Sequence, residues 1–230
     1  MRCSIRAIAA RLQFYAMRLY VPAGMRRREL EELFCRTAAA FGRTVPPAQG
    51  RSAASRLREF AGASRDWAEA ALTDGSDLAG IDNRLYRSAL HLGRIYRARL
   101  GIASRADGLA AARSIYRLLG IDLKADSRTG DIVVRRCMFS SRYSAGACGV
   151  ISALDRGLFA GLCGGGELAF SARITEGCAV CRARLCESGQ PVRRAIVVGS
   201  GAGGAAAARE LQAAYQVTVL EAGGNFRPLS

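Results

Sequence analysis

Through the first half of the chain, apolar residues recur every three or four positions, the spacing of a helix face. Over 28–42 the pattern uses Leu30, Leu33, Phe34, Thr37 and Phe41. Val45-Pro46-Pro47 should end that helix, because proline offers no amide to continue it. Two shorter helices are predicted over 51–61 and 63–72. The second takes Ser64 as its N-cap and turns Trp67, Ala71 and Leu72 inward, with Asp74-Gly75 as its close. A long helix fits 79–100 through Leu85, Ala89, Leu92, Tyr96 and Leu100, and Gly101 is its natural stop. Another fits 105–119, ending at Gly120. Near the start, Ile8, Leu12, Tyr15 and Leu19 mark an amphipathic helix within residues 5–21.

The period shortens at Ile121. Ile121–Lys124 and Asp131–Arg136 read as strands joined by a turn at Ser127–Gly130. A helix over 144–161 follows, then the Gly164-Gly165-Gly166 break, then strands at Glu167–Ala172 and Ala179–Leu185. The expected fold class is α+β: a helical region (1–120) and a small antiparallel sheet region (121–186) forming one domain. Beyond a linker at Glu187–Pro191, residues 193–230 read as strand, helix, strand, an incomplete Rossmann-like β-α-β unit.

Ala195-Ile196-Val197-Val198 has the continuous apolar character of a buried parallel strand. It runs into Gly199-Ser200-Gly201-Ala202-Gly203-Gly204, which fills the pattern G-x-G-x-x-G. Gly199 permits the tight turn, Gly201 lets backbone approach a pyrophosphate, and Gly204 lets helix and strand pack closely. A helix opening at Ala202 would aim its free N–H groups and positive dipole end at phosphate. The second strand, Val217–Leu220, ends at Glu221, 17 residues after Gly204. A carboxylate there can accept hydrogen bonds from ribose hydroxyls and would repel a 2′-phosphate, which disfavours NADP. These residues do not by themselves separate FAD from NAD.

The segment AIVVGSGAGGAAAARELQAAYQVTVLEAGGNFRP resembles the N-terminal part of glucose-methanol-choline (GMC) type FAD-dependent oxidoreductases. The resemblance covers about residues 193–229 and implies FAD, with pyrophosphate over Gly199, Gly201 and Gly204 and the adenosine ribose on Glu221. In that family the flavin oxidises an alcohol with help from a histidine near the C-terminus. Here the chain ends at Ser230, and its one histidine is His91, on a predicted helix. The chain alone is therefore expected not to perform flavin chemistry, and the remaining C-terminal part of such an enzyme would be its partner. Residues 80–186 weakly resemble proteins grouped with L-2-amino-thiazoline-4-carboxylate hydrolase, through Cys137-x-Phe139, Cys148, Asp155 and the Gly177–Cys181 stretch. This resemblance makes Cys137, Cys148 and Asp155 the candidate catalytic residues. The alternative to a flavin-enzyme fragment is thus a small hydrolase-like or cysteine-rich metal or redox domain with a vestigial dinucleotide motif.

Six of the eight cysteines fall between residues 137 and 186. Cys178-x-x-Cys181 could chelate a metal if another ligand converged on it, but a second close pair is missing. Buried thiols are the plainer reading. With no secretory signal pattern, the cysteines suggest a reducing, cytoplasmic setting. No stretch of roughly 18 uncharged apolar residues occurs, so no membrane span is expected. The formal charge of +15 invites a nucleic-acid reading. Yet Lys124 is the single lysine, the arginines are scattered, and aromatics are not interleaved with them. A solvated arginine-rich surface fits better than a nucleic-acid interface.

Overall fold

The computed structural model describes residues 23–50, 52–186, 194–211 and 215–223. The amphipathic helix expected within 5–21 and the linker at Glu187–Pro191 lie outside them. The chain divides into two compact units, Met1–Ser188 and Gly189–Ser230.

In the first unit, α1 (Ala23–Ala40), α2 (Ala53–Thr73), α3 (Leu78–Arg99) and α4 (Arg105–Leu118) precede the hairpin of β1 (Ile121–Ala125) and β2 (Asp131–Cys137). Then come α5 (Ala145–Cys163), β3 (Glu167–Ala172), a 3-10 turn at Ile174–Glu176 and β4 (Cys181–Cys186). The four strands form an antiparallel sheet in the order β1-β2-β4-β3. Alternate residues Ile121, Leu123, Ile132, Val134, Leu168, Ala183 and Leu185 are buried. That is the period-two pattern of a sheet with one covered face.

The helix α5 is the hub, packed against α2, α3, α4 and β3. Its small residues allow very close approach. A Cβ on Gly161 would lie 2.5 Å from the Leu90 carbonyl oxygen, and one on Gly157 would lie 2.2 Å from that of Tyr86. By length and hydropathy alone α5 could cross a membrane. Its burial among four neighbouring elements is that of a core helix. An aromatic chain ties α1 and α2 to the turn after β2: Phe34, Phe60, Phe139 and Tyr143 succeed one another with ring centroids 5.2–6.1 Å apart.

Three expectations about residues 51–72 need correction. Residues 51–61 and 63–72 are not two helices but one, Ala53–Thr73, capped by Ser52, whose side chain accepts from the Ser55 amide. Ser64 is no cap. It is fully buried, and its hydroxyl bonds the Phe60 carbonyl one turn back and the Tyr143 hydroxyl at 2.6 Å. A serine that finds partners inside the helix and across the core gives no reason for a break. Leu72, expected inside, is 42 % exposed.

In the second unit, β5 (Arg194–Val198) and β6 (Gln216–Leu220) pair in parallel, with α6 (Ala202–Leu211) between them in sequence. The register runs from Arg194 opposite Gln216 to Val198 opposite Leu220. The chain is thus mixed α+β, an antiparallel sheet with helices plus a parallel pair. The pair is not buried as its sequence suggests. Ile196 is 66 % and Val198 81 % exposed. Val197 lies on the helix side, near Gly204, and its neighbours point the other way, where no described residue of this unit covers them.

Candidate functional site

The glycine-rich bend leaves β5 at Gly199, which has φ +89°, a left-handed conformation closed to most side chains. Its amide donates to the Leu220 carbonyl at 2.7 Å, tying the bend to β6. At Gly204 a Cβ would stand 1.9 Å from the Gly199 carbonyl oxygen, so only glycine fits. The helix begins at once, with the Ala205 amide bonded to the Gly201 carbonyl at 2.8 Å. Gly201, Ala202 and Gly203 are exposed at its N-terminus.

Glu221 turns back onto this bend. Its Oε2 accepts from the Ser200 amide at 2.6 Å and the Ser200 hydroxyl at 2.5 Å, and its Oε1 accepts from the Gly223 amide at 2.7 Å. The Ser200 hydroxyl, then the two amides, hold the carboxyl down at about 2. It is a permanent anion at the lip of the bend. The dinucleotide positions read from the sequence, Gly199 to Gly204 and Glu221, therefore stand together around one turn.

A second constellation lies in the first unit. Cys148, Ser152 and Asp155 occupy one face of α5 at spacings of four and three, on a helix whose only other charged residue is Arg156. Tyr116, from the buried face of α4, donates its hydroxyl to Asp155 Oδ1 at 2.5 Å. Burial pushes the Asp155 carboxyl up to about 6. The Tyr116 hydrogen bond and the charges of Arg173 and Arg156 pull the other way but less. Tyr116 itself is raised well above its ordinary range by burial and by the adjacent carboxylate.

Three thiols share this field. Burial raises Cys137 to about 12, although the Phe139 and Ser140 amides against its sulfur oppose the rise. Cys148 and Cys181 are raised too, first by burial and with a further push from Asp155. At neutral pH all three are protonated thiols, poor nucleophiles until a base takes the proton. Arg173 supplies the positive charge. One guanidinium nitrogen donates to Ser152 Oγ at 3.1 Å, another lies 3.5 Å from Glu176, and the group sits 4.4 Å over the Phe170 ring. The Ile174 amide donates to Cys181 Sγ at 3.3 Å. The arrangement holds a carboxyl that titrates near neutrality, a fixed phenol, neutral thiols and a cation, which suits general acid–base chemistry.

The candidates Cys137, Cys148 and Asp155 are thus brought together, and Cys181 joins them. Cys178 is exposed after the 3-10 turn, and among the described residues no three of His, Cys, Asp or Glu gather as they would to hold a metal ion. His91 is exposed on α3. Tyr116 and Arg173 were missed by the sequence reading. Tyr116 looks like any inward helix position, and nothing sets Arg173 apart from the other arginines. One signal was present: Asp155 is the only carboxylate of a largely apolar helical segment, seven residues after Cys148. Comparisons with protein-family models, curated proteins and solved structures give no match.

Proposed function

We propose that residues 194–223 form the adenine-dinucleotide end of a Rossmann-like FAD site, belonging to a GMC-like oxidoreductase that acts on CH–OH groups. The carrying observation is that two glycines of the bend have no internal reason to be glycine. Gly199 needs its backbone conformation and Gly204 its closeness to Gly199. Gly201 and Gly203 need neither: both keep negative φ, and a Cβ on either would meet no atom within 4 Å. Gly203 lies inside α6, where glycine costs about 1 kcal/mol relative to alanine. A ligand resting on the backbone accounts for both. The bend would receive the pyrophosphate at Gly201 and the α6 N-terminus, and Glu221 Oε1 keeps a lone pair for a ribose hydroxyl. When bound, the flavin would accept hydride from the alcohol carbon; these residues bind and orient it.

The test is a fluorescence titration of the 230-residue chain with FAD, repeated with Gly201→Val. Because the new side chain meets nothing in the protein, Tm should stay within 1–2 °C while affinity falls at least tenfold. Equal FAD affinity in the variant, or no binding by the parent chain, overturns the proposal.

A second reading concerns the first unit and is supported by the convergence of Asp155, Tyr116, Arg173 and the thiols. It takes this unit as a small hydrolase-like domain, with Asp155 as the acid–base group. Turnover of L-2-amino-thiazoline-4-carboxylate, lost in Asp155→Asn, is its expected signature. Turnover unchanged in that variant would remove Asp155 from the reaction.

A further inference from the structure

The first unit also carries an open cleft of about 750 Å³ at the end of α4 and the edge of the sheet. Arg113 and Arg117 line it from α4 and Arg135 and Arg136 from β2, with Cys137 and Asp122 also on its wall. All four arginines are exposed. None is paired with a carboxylate among the described residues. Arg36, Arg56, Arg65, Arg156, Arg173 and Arg184 have acidic partners, and others such as Arg87 and Arg94 on α3 have none among the described residues; what sets Arg113, Arg117, Arg135 and Arg136 apart is that they share one cleft. Four cations against one carboxylate in one cleft repel one another, and an arriving anion would relieve them.

The backbone is shaped to gather them. Neighbouring residues of a flat strand point to opposite faces, so Arg135 and Arg136 should diverge. The pairing of β1 with β2 slips here: Asp122 lies opposite Arg136 and Leu123 opposite Val134, leaving Arg135 as an extra residue. Such a bulge re-aims a side chain, and both arginines line the same cleft. Arg113 and Arg117, one turn apart on α4, complete the set. The helix C-terminus here would ordinarily oppose an anion through its free carbonyls. They are occupied: Leu119 N donates to the Tyr116 carbonyl, Gly120 N to that of Arg117, and Arg26 to that of Leu118 at 2.6 Å.

The geometry points to a binding site for a small molecule bearing a diphosphate or two phosphate groups, held by Arg113, Arg117, Arg135 and Arg136. Guanidinium forks match paired phosphate oxygens. The volume suits a small ligand rather than a polymer track. No aromatic side chain lines the cleft, so bases have nothing to stack on. The site is independent of the flavin reading, which concerns the other unit.

Isothermal titration of the 230-residue chain with pyrophosphate in low salt tests it. Binding should weaken at least tenfold in Arg135→Gln/Arg136→Gln and in Arg113→Gln/Arg117→Gln. It should persist in Arg87→Gln/Arg94→Gln, which removes two exposed charges of α3, and in Gly201→Val, which separates this site from the glycine bend. Circular dichroism of each variant should match the parent. Three results overturn the proposal: no pyrophosphate binding, equal loss in the α3 control, or orthophosphate or a 12-nucleotide single-stranded RNA binding as tightly as pyrophosphate through the same four arginines.

Discussion

Replacing Asp155 by Asn should make the protein more stable, and only above a definite pH. Burial lifts the Asp155 carboxyl from 3.8 to about 6. At 1.36 kcal/mol per pH unit, the folded protein disfavours the charged form by about 3 kcal/mol. The sign follows from proton counting. Below about pH 4 the carboxyl is protonated in folded and unfolded chains alike. Between about pH 4 and 6 the unfolded chain has released a proton that the folded protein retains, so stability falls as pH rises through that window and is level above it. Asn copies the neutral acid, and its Oδ1 can still accept from Tyr116. The variant should therefore gain about 1–3 kcal/mol at pH 8, the lower end applying if its extra amide hydrogens lack a partner. At pH 4 the gain should vanish. Urea unfolding followed by the single tryptophan, Trp67, reports on this unit, since its ring packs between Phe34 and Phe41. A variant equally destabilised at pH 4 and pH 8 would refute the reasoning, because Asp155 would then be a structural anchor, not a strained charge.

On α5, Gly161→Ala and Gly149→Ala should move in opposite directions. The first forces a methyl to 2.5 Å from the Leu90 carbonyl and should cost about 1–3 kcal/mol. The second, exposed with nothing within 4 Å, should gain up to about 1 kcal/mol, both read as shifts in urea midpoint. Arg56 is buried beneath α1, bonded to Glu31, Glu59 and the Pro46 carbonyl and set 4.5 Å over the Phe34 ring. Its replacement by Ala should cost about 3 kcal/mol, and Lys should recover only part because it lacks the planar fork. A loss under about 1 kcal/mol would mean that the two glutamates rehydrate freely. Ser64→Ala strands the buried Tyr143 hydroxyl and should cost about 1–2 kcal/mol, and Tyr143→Phe should cost less, about 0.5–1 kcal/mol, because the Ser64 hydroxyl keeps the Phe60 carbonyl. The double variant should cost clearly less than the sum, since it removes both ends of one bond.

Much of this architecture was legible in the sequence where the cause is local. The limits of α3, α4 and α5 follow from an apolar period that ends at a glycine. The parallel pair and the turn of Glu221 onto the bend follow from the spacing of one motif. What escaped depends on partners distant in sequence. Ser64 looks like a cap until Tyr143, 79 residues on, gives its hydroxyl a bond inside the core. Leu72 fits an inward face by period, yet it lies at the end of α2, where the core has run out. Tyr116, Arg173 and the thiols become a site only because α4, α5 and the β3–β4 connection converge on Asp155. Burial of β5 was inferred from apolar character alone, which requires a covering layer that periodicity cannot supply.

The 26 glycines show how structure separates causes that composition merges. Gly93, Gly157 and Gly161 are explained by helix contact: a Cβ on each would strike backbone atoms of the opposing helix. Gly204 is explained by the turn it closes. Gly24, Gly62, Gly149, Gly201 and Gly203 relieve no clash, and of these only Gly201 and Gly203 sit together in a glycine-rich bend at a helix start. Arg113, Arg117, Arg135 and Arg136 are the electrostatic counterpart, four charges gathered by a bulge and a helix turn with Asp122 as the one carboxylate beside them. Both sets are local costs that the folded chain does not itself offset. The two ligands proposed above share one chemistry, an anionic phosphate group, which would be approached in one unit by bare backbone amides and in the other by guanidinium groups.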